Sequence, residues 1–383
     1  MWASNYYTEK TKLFSMKIIY RIFILATMLT IGATTASAQD QALQPAESDS
    51  LALLDKKVTK LENIASKLPQ VSGFIQTMFS FQDGGEQSAN YFRIRRARII
   101  LKGSICGDLM DYNFTTDFAG GAKIVDAYMR ITPWKQFNVQ IGAFRPSFTI
   151  ENMFYGSLSM EGIDYPQIIK KMTHLGDITG LNSAGRDVGV QINGGFFNKR
   201  GFSTLEYRIG VFNGNGVMVT KDDNRGKDLS AMIGVSPIKN LIFVGSCYFG
   251  SWNNGIKAEN LRSRWGVGYR YDDGVIFSRG EYIRGITEGL NHLETGEDKT
   301  YSEGAYVLVG ARFFKQRFAP FARVEFFAQD RFNYKACGEP YYSLGIDYNP
   351  IKYIRLQALY THKTFVNGNP SRNVIELLLT AKF

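Results

Sequence analysis

Arginine and lysine recur at every second residue in several short stretches of this chain, and that spacing is its first chemical signal. Side chains two apart on an extended strand share a face. Arg96, Arg98 and Lys102 then lie on one face, with Ala97, Ile99 and Leu101 on the other. Asp126, Tyr128 and Arg130 likewise oppose Val125, Ala127, Met129 and Ile131, and Glu206 and Arg208 oppose Leu205, Tyr207 and Ile209. Arg262, Arg264 and Arg270 oppose Trp265, Val267 and Tyr269, and Arg323 and Glu325 oppose Ala322, Val324 and Phe326. Arg312, and Arg355 with Gln357, fall in comparable rows. Guanidinium groups attract anions, because their planar fork matches phosphate and carboxylate in a bidentate manner. Against lipid each Lys or Arg would cost about 2–4 kcal/mol at the bilayer midplane. The charged rows are therefore predicted to face water and the apolar rows lipid. The candidate anion-binding set is Arg96, Arg98, Lys102, Arg130, Arg208, Arg264, Arg312, Arg323 and Arg355. The alternative is a mixed-charge wall in which Asp126, Glu206, Glu325 and Glu376 pair with neighbouring arginines and leave little selectivity.

Other chemistries find less support. His174, His292 and His362 stand apart without metal-ligand spacing, and none adjoins a plausible nucleophilic serine on one strand face. No catalytic residue, metal or cofactor is expected. Three cysteines are too few, and odd in number, for a disulfide framework. Cys106 falls in a turn, Cys337 in a loop at the opposite end and Cys247 inside a strand, so all three are predicted to be free.

The rows must be held by strands, and the processing signals say where the strands reside. Lys17 and Arg21 precede an apolar run from Ile22 to Ile31, and Ala36-Ser37-Ala38 follows. That order reads as a cleaved secretory signal, with Met16 as a candidate start and Gln39 as the first mature residue. Residues 1–38 are thus assigned to leader and signal. The run is too short for a helical span of about 20 residues. A net charge of +10 is compatible with anions, a membrane surface or nucleic acid, and export excludes the last. Residues 39–70 form a polar linker and a short helix. Leu51, Leu54, Val58, Leu61, Ala65 and Leu68 alternate spacings of three and four, a heptad seam ended by Pro69. Such a segment either joins subunits as a short coiled coil, three being one option, or lies as a single amphipathic helix against a surface.

From residue 71 the period changes to two. With 28 Phe, 21 Tyr and 38 Gly but no long apolar block, residues 71–383 read as an all-β, transmembrane antiparallel β-barrel of about sixteen strands. The spans predicted are 71–81, 91–105, 109–118, 124–132, 136–145, 185–195, 202–213, 227–236, 239–249, 262–271, 275–285, 302–314, 317–329, 339–349, 352–364 and 373–383. Connections alternate short and long. The short ones, such as Thr132-Pro133-Trp134-Lys135, Phe197-Asn198-Lys199-Arg200 and Asp272-Asp273-Gly274, carry turn residues. The longest is the third external loop, 146–184. Its Phe148, Ile150, Met153, Phe154, Tyr155, Ile163 and Tyr165 suit packing against the inner wall, the alternative being a surface flap. The last strand alternates Ile375, Leu377, Leu379, Ala381 and Phe383 outward, and a terminal aromatic resembles the signal read by the barrel-assembly machinery.

Residues Phe92 to Gly103, reading F-R-I-R-R-A-R-I-I-L-K-G, resemble the phosphate-selective porin O and P family. Asp126-Ala127-Tyr128 and Phe144-Arg145-Pro146-Ser147-Phe148 are similar to the same family's D-A-Y and G-x-F-[KR]-P-x-F segments. The resemblance implies a sixteen-stranded, trimeric channel in the bacterial outer membrane, surrounded by lipid and passing small anions, phosphate among them. One departure stands out: Glu151, Glu161, Asp164 and Asp177 outnumber Lys170 and Lys171 in the long loop, where phosphate-selective members carry lysine clusters. A passive anion channel is therefore the leading expectation. A general non-selective porin is the alternative. A barrel enzyme lacks its triad, and a plugged structural barrel or a carrier of apolar molecules would need apolar inward rows.

Overall fold

The computed structural model describes residues 54–59, 68–84, 89–107, 109–199, 202–217, 226–290 and 298–383. Sixteen antiparallel strands close into one barrel, each bonded to its sequence neighbours and the first to the last. They are β1 (Gln70–Asp83), β2 (Ala89–Ile105), β3 (Met110–Asp117), β4 (Lys123–Trp134), β5 (Phe137–Phe144) and β6 (Asp187–Lys199). Then follow β7 (Phe202–Phe212), β8 (Asp228–Ile238), β9 (Leu241–Trp252), β10 (Asn260–Asp272) and β11 (Ile276–Glu288). The last are β12 (Lys299–Ala311), β13 (Phe318–Ala328), β14 (Gly338–Ile351), β15 (Ile354–Lys363) and β16 (Arg372–Lys382). Each of the sixteen predicted spans overlaps one of these. The largest shift is at the turn expected at Phe197–Arg200, where β6 continues to Lys199.

Of the predicted helix 51–68, residues 54–59 are described and are helical; most of the remainder, like the leader at 1–38, lies outside the described residues. This helix and the barrel are separate units.

Period two sorts the side chains as the sequence implies. On β16, Ile375, Leu377 and Leu379 are 41%, 47% and 45% exposed, whereas Val374, Leu378 and Thr380 are buried. The exposed set faces outward, where the hydrophobic effect of lipid replaces that of a protein core, and the buried set faces the filled interior. Among the described residues the register shifts at five places; three adjoin the tight turns of β4–β5, β8–β9 and β14–β15, and two are bulges inside the strands that interrupt the alternation. One extra residue on a strand sends both flanking parities to the same face. At β1–β2, Gln76 pairs with Arg96 and the adjacent Thr77 with Ile94, so Arg95 is the extra residue. At β3–β4, Thr115 pairs with Asp126 and Thr116 with Ile124, so Val125 is extra. This corrects one expectation: Val125 is 1% exposed and points inward, and Ile124 takes its place in the outward row.

The segment between β5 and β6 folds into the barrel, not over its rim. It carries two short helices, α1 (Ile150–Phe154) and α2 (Gln167–Met172). Phe148, Ile150, Tyr155, Ile163 and Tyr165 are buried in one apolar cluster with wall residues Met232, Val244, Ile283, Tyr306 and Phe321. Met153 and Phe154 pack against its edge. All seven apolar loop residues named from the sequence therefore meet the inner wall. A third helix, α3 (Tyr334–Cys337), follows a 3-10 turn at Arg331–Asn333 in the β13–β14 connection, and Cys337 lies in it. The three cysteines are free.

The closing seam is β1 against β16. Gly73 N–H donates to the Phe383 carbonyl at 3.1 Å, and Phe383 N–H donates to the Gly73 carbonyl at 3.0 Å. The Phe383 ring covers Gly73 so closely that a Cβ there would collide with it and with the Arg98 carbonyl. Gly73→Val is expected to cost about 1–3 kcal/mol, the usual penalty of overpacking. A urea titration of the detergent-refolded barrel reads this as a lower midpoint. An unchanged midpoint would mean that the seam does not depend on this contact.

Candidate permeation site

The bulge on β2 assembles an arginine stripe. Before it, odd positions face inward, so Arg93 and Arg95 lie with Met78 of β1, which is fully buried. After it, even positions face inward, so Arg96 lies opposite Gln76 and Arg98 opposite Phe74. Arg95 Nη1 reaches the Met78 sulfur at 3.2 Å, and Arg96 Nη1 donates to Gln76 Oε1 at 2.9 Å. Four arginines of one strand thus share the lumen face. Arg98 is paired with Asp117 at 2.8 Å and Arg95 with Asp164 of the inner segment at 3.1 Å. Among the described residues no carboxylate lies within ion-pair distance of Arg93 or Arg96. Arg93 and Arg95 were missing from the sequence-derived set. The signal that marks them is the Arg95-Arg96 doublet, which two-residue alternation cannot place on one face without a bulge.

The remaining predicted residues divide by what they touch. Arg264 of β10 is bidentate on Asp177 of the inner segment, at 2.5 and 2.8 Å, and donates to the Met172 carbonyl. Arg312 lies 2.9 Å from Glu161 and 2.7 Å from Asp272. Arg323 pairs with Glu325 at 3.1 Å and donates to the Asp164 carbonyl at 2.8 Å. Arg355 is paired with Asp347 and donates to the carbonyls of Leu158 and Met160 at 2.8 and 2.6 Å. These four arginines therefore hold the inner segment. Arg130 is bidentate on Asp111. Arg208 stacks over the Phe154 ring at 5.1 Å, and Lys102 is exposed at the other end of β2.

Arg279 of β11, absent from the sequence-derived set, makes the tightest link. Its guanidinium, 1% exposed, meets Glu151 at 2.7 Å and Glu161 at 2.6 Å, and stacks 3.9 Å from the Tyr155 ring. The excess of loop carboxylates noted in the sequence is thereby consumed. Glu151, Glu161, Asp164 and Asp177 each face an arginine of the wall. Burial pushes the Asp164 carboxyl up, but Lys170 and Arg95 outweigh it and hold the group well below the usual carboxylate range. Two wall glutamates act in the reverse sense. Glu281 accepts from the Ile150 and Glu151 amides at 2.6 and 3.2 Å, and Glu325 accepts from the Gln167 amide at 2.5 Å. They sit at the amino ends of α1 and α2, where a carboxylate meets unpaired N–H groups.

The sequence gives His174 no metal-ligand spacing, yet the fold brings it to Asp187 and Asp228. Its Nδ1 lies 3.3 Å from the Arg186 carbonyl and its Nε2 3.2 Å from the Tyr248 hydroxyl. Burial first, and then Arg262, pushes its pKa down to about 3. Arg262 stands 2.5 Å from Asp228, and the amides of Gly214 and Gly216 donate to Asp187 at 2.7 and 3.2 Å. The trio is thus satisfied by donors and cationic charge of the chain itself. Its members were invisible as a group in the sequence because they come from three separate elements.

A closed sixteen-stranded barrel with an inward third loop and a charged lumen narrows the comparison to one class of protein. The model of the family described as "Phosphate-selective porin O and P" matches residues 72–240. The chain is an outer-membrane β-barrel with the porin fold. Among solved structures it is similar to the anion-selective porin from Comamonas acidovorans, at 12% identity and a TM-score of 0.63, over 82% of this chain and 99% of that one. It is also similar to the trimer form of OmpT of Vibrio cholerae, at 12% identity and a TM-score of 0.56, over 82% and 100%. OprB of Pseudomonas putida is similar at 9% identity and a TM-score of 0.59, over 86% and 97%. At such identities the likeness is one of fold. No curated protein matches the chain.

In this barrel, removing one partner of a buried ion pair should cost about 3–5 kcal/mol, because the other charge is left uncompensated. Arg279→Ala strands both Glu151 and Glu161. The expected outcome is a loosened inner segment, read as faster protease cleavage within 146–184 and larger, noisier single-channel currents. Cleavage and current like those of the wild type would show that the segment is held by its apolar contacts alone.

Proposed function

We propose that this porin is a passive diffusion channel that favours small anions, phosphate among them. The observation that carries this reading is the β2 stripe. Arg93, Arg95, Arg96 and Arg98 share one lumen face against two carboxylates, Asp117 and Asp164. Closely set guanidinium groups favour anions and phosphate. Within the reading, Arg93, Arg95, Arg96, Arg98, Arg130, Arg208 and Lys102 meet the ion. Arg264, Arg312, Arg323 and Arg355 act by fixing the inner segment that shapes its path.

Three further proposals accompany it. The chain has no catalytic activity; in support, His174 and His362 bond to Arg186, Tyr248 and Asn373, and neither to a serine hydroxyl. It assembles as a homotrimer in lipid, a state named for the similar OmpT structure. It is handed to the membrane by the barrel-assembly machinery through Phe383, the residue that completes the β1–β16 seam.

A non-selective channel is the second reading, favoured by the wall pairs Asp126–Arg186 and Asp111–Arg130. Reversal potential in a planar bilayer across a potassium chloride gradient separates the two. Anion selectivity is expected, with added phosphate reducing chloride current. Arg95→Ala and Arg96→Ala should each lower the anion-to-cation permeability ratio by about five-fold, the value of roughly 1 kcal/mol for one charge met at 4 Å in water. Equal permeability of both ions in the wild type would leave a general porin.

A further inference from the structure

The outward face carries a second charged feature, on the side away from the lumen. Beyond the last three positions at either end, the outward rows of the described strands are uncharged except at two positions, Arg284 of β11 and Glu303 of β12. Arg284 lies opposite Trp265 and Glu303 opposite Arg284, which puts both on the face shared by the 43% exposed Trp265. Arg284 Nε donates to Glu303 at 3.0 Å, and the Tyr282 hydroxyl donates to the same carboxylate at 2.9 Å. A membrane protein does not keep an isolated charge in contact with hydrocarbon without a partner or a water-filled exit.

Beside this pair is a recess of about 180 Å³ in the outer wall, lined among others by Ser263, Trp265, Arg284, Ile286, Tyr301 and Arg331. Each arginine is backed by two rings. Arg284 stands 5.9 Å from the Trp265 ring and 5.3 Å from Tyr282, and Arg331 stands 4.5 Å from Phe332 and 5.8 Å from Tyr301. The Phe332 and Tyr301 rings meet edge to face at 5.3 Å, which fixes the 3-10 turn that carries Arg331. Arg331 Nε is buried and has no hydrogen-bond partner, and among the described residues no carboxylate pairs with this guanidinium. One of the two cations is thus uncompensated, and a space far above the roughly 10–15 Å³ that a water needs adjoins it.

Position identifies the ligand class. Arg331 lies in the β13–β14 connection, and Ser263, Arg284 and Tyr301 lie within four residues of the strand ends on that same rim. This is the rim of the long connections, which in outer-membrane barrels is the external one. Aromatic side chains gather there at headgroup level. What faces the recess is therefore the headgroup layer of the outer leaflet. A ligand for it needs an anion for two guanidinium groups, polar substituents for the serine hydroxyl, and apolar chains that leave along the outward Val267 and Val307. We propose that this recess binds the phosphorylated headgroup of an outer-leaflet glycolipid, with Arg331 and Arg284 on the phosphate.

The test is native mass spectrometry of the intact porin in detergent, with lipid A, the bisphosphorylated disaccharide lipid, as probe. Its dephosphorylated form, phosphatidylethanolamine and inorganic phosphate serve as the comparison arms. One tightly retained lipid A per chain is expected, with the other three held at least about ten-fold more weakly, the worth of one charge-assisted contact. Arg331→Ala, in a connection outside the strands, should remove that advantage and leave heat-modifiable gel mobility and anion preference unchanged, so that this proposal fails or holds apart from the selectivity reading. Equal retention of the dephosphorylated lipid would overturn it, as would tight inorganic phosphate binding at Arg331, which would make this a free-anion site. Unchanged lipid A binding in Arg331→Ala with dissociation of the oligomer would overturn it too, assigning the recess to subunit contact.

Discussion

The interior of this barrel depends on arginine meeting carboxylate and carbonyl across the lumen. Arg279 holds two glutamates, Arg264 an aspartate and a backbone carbonyl, and Arg355 two carbonyls, all in one folded-in segment. A buried charge without its partner is far more costly than the pair is stabilising. The wall and the segment therefore specify each other. Neither charge set is comfortable alone, and the segment has one placement in which Glu151, Glu161, Asp164 and Asp177 are all answered. The apolar cluster supplies bulk attraction, while the ion pairs fix where the segment sits.

The barrel itself was readable in the sequence because its strongest determinants are local. Two-residue alternation, turn residues and unequal connections each survive without any knowledge of partners, and all sixteen strands follow from them. The facing rows were also readable wherever alternation is unbroken, as at Arg262 and Arg264 or along β16. Reading failed at the bulges. Val125 looked outward because its neighbours do, and nothing local says that one residue of β4 is left over against β3. The pairing partner decides that, and the partner is known only from the fold.

The candidate site was legible in its residue types and not in its division of labour. Nine cations were picked out by face alone. Six of them turn out to be paired with carboxylates, four of these holding the inner segment, and Arg93 and Arg95 join the stripe. Which cation is committed depends on where a segment of some forty residues comes to rest, and that is a tertiary fact. The same holds for His174, whose neighbours Asp187 and Asp228 are distant in sequence and come together only when β6, β8 and the segment are packed.

The bulge on β2 also changes how much charge a strand can present. A pleated strand offers one inward position in two, about 6.6–6.8 Å apart, and adding charge to the lumen normally means using another strand. Arg95 is a surplus residue. With it deleted, Arg93, Ile94, Arg96, Ala97 and Arg98 would alternate without a break, and every lipid-facing side chain would keep its place. The strand has therefore gained a cation by insertion instead of substitution, at no loss to its membrane-facing row. The two adjacent guanidinium groups that result divide their tasks: Arg95 turns to Asp164 of the inner segment, and Arg96 keeps its charge on the lumen face without a carboxylate of its own, so the insertion ties the segment down beside the stripe without using up the stripe's charge.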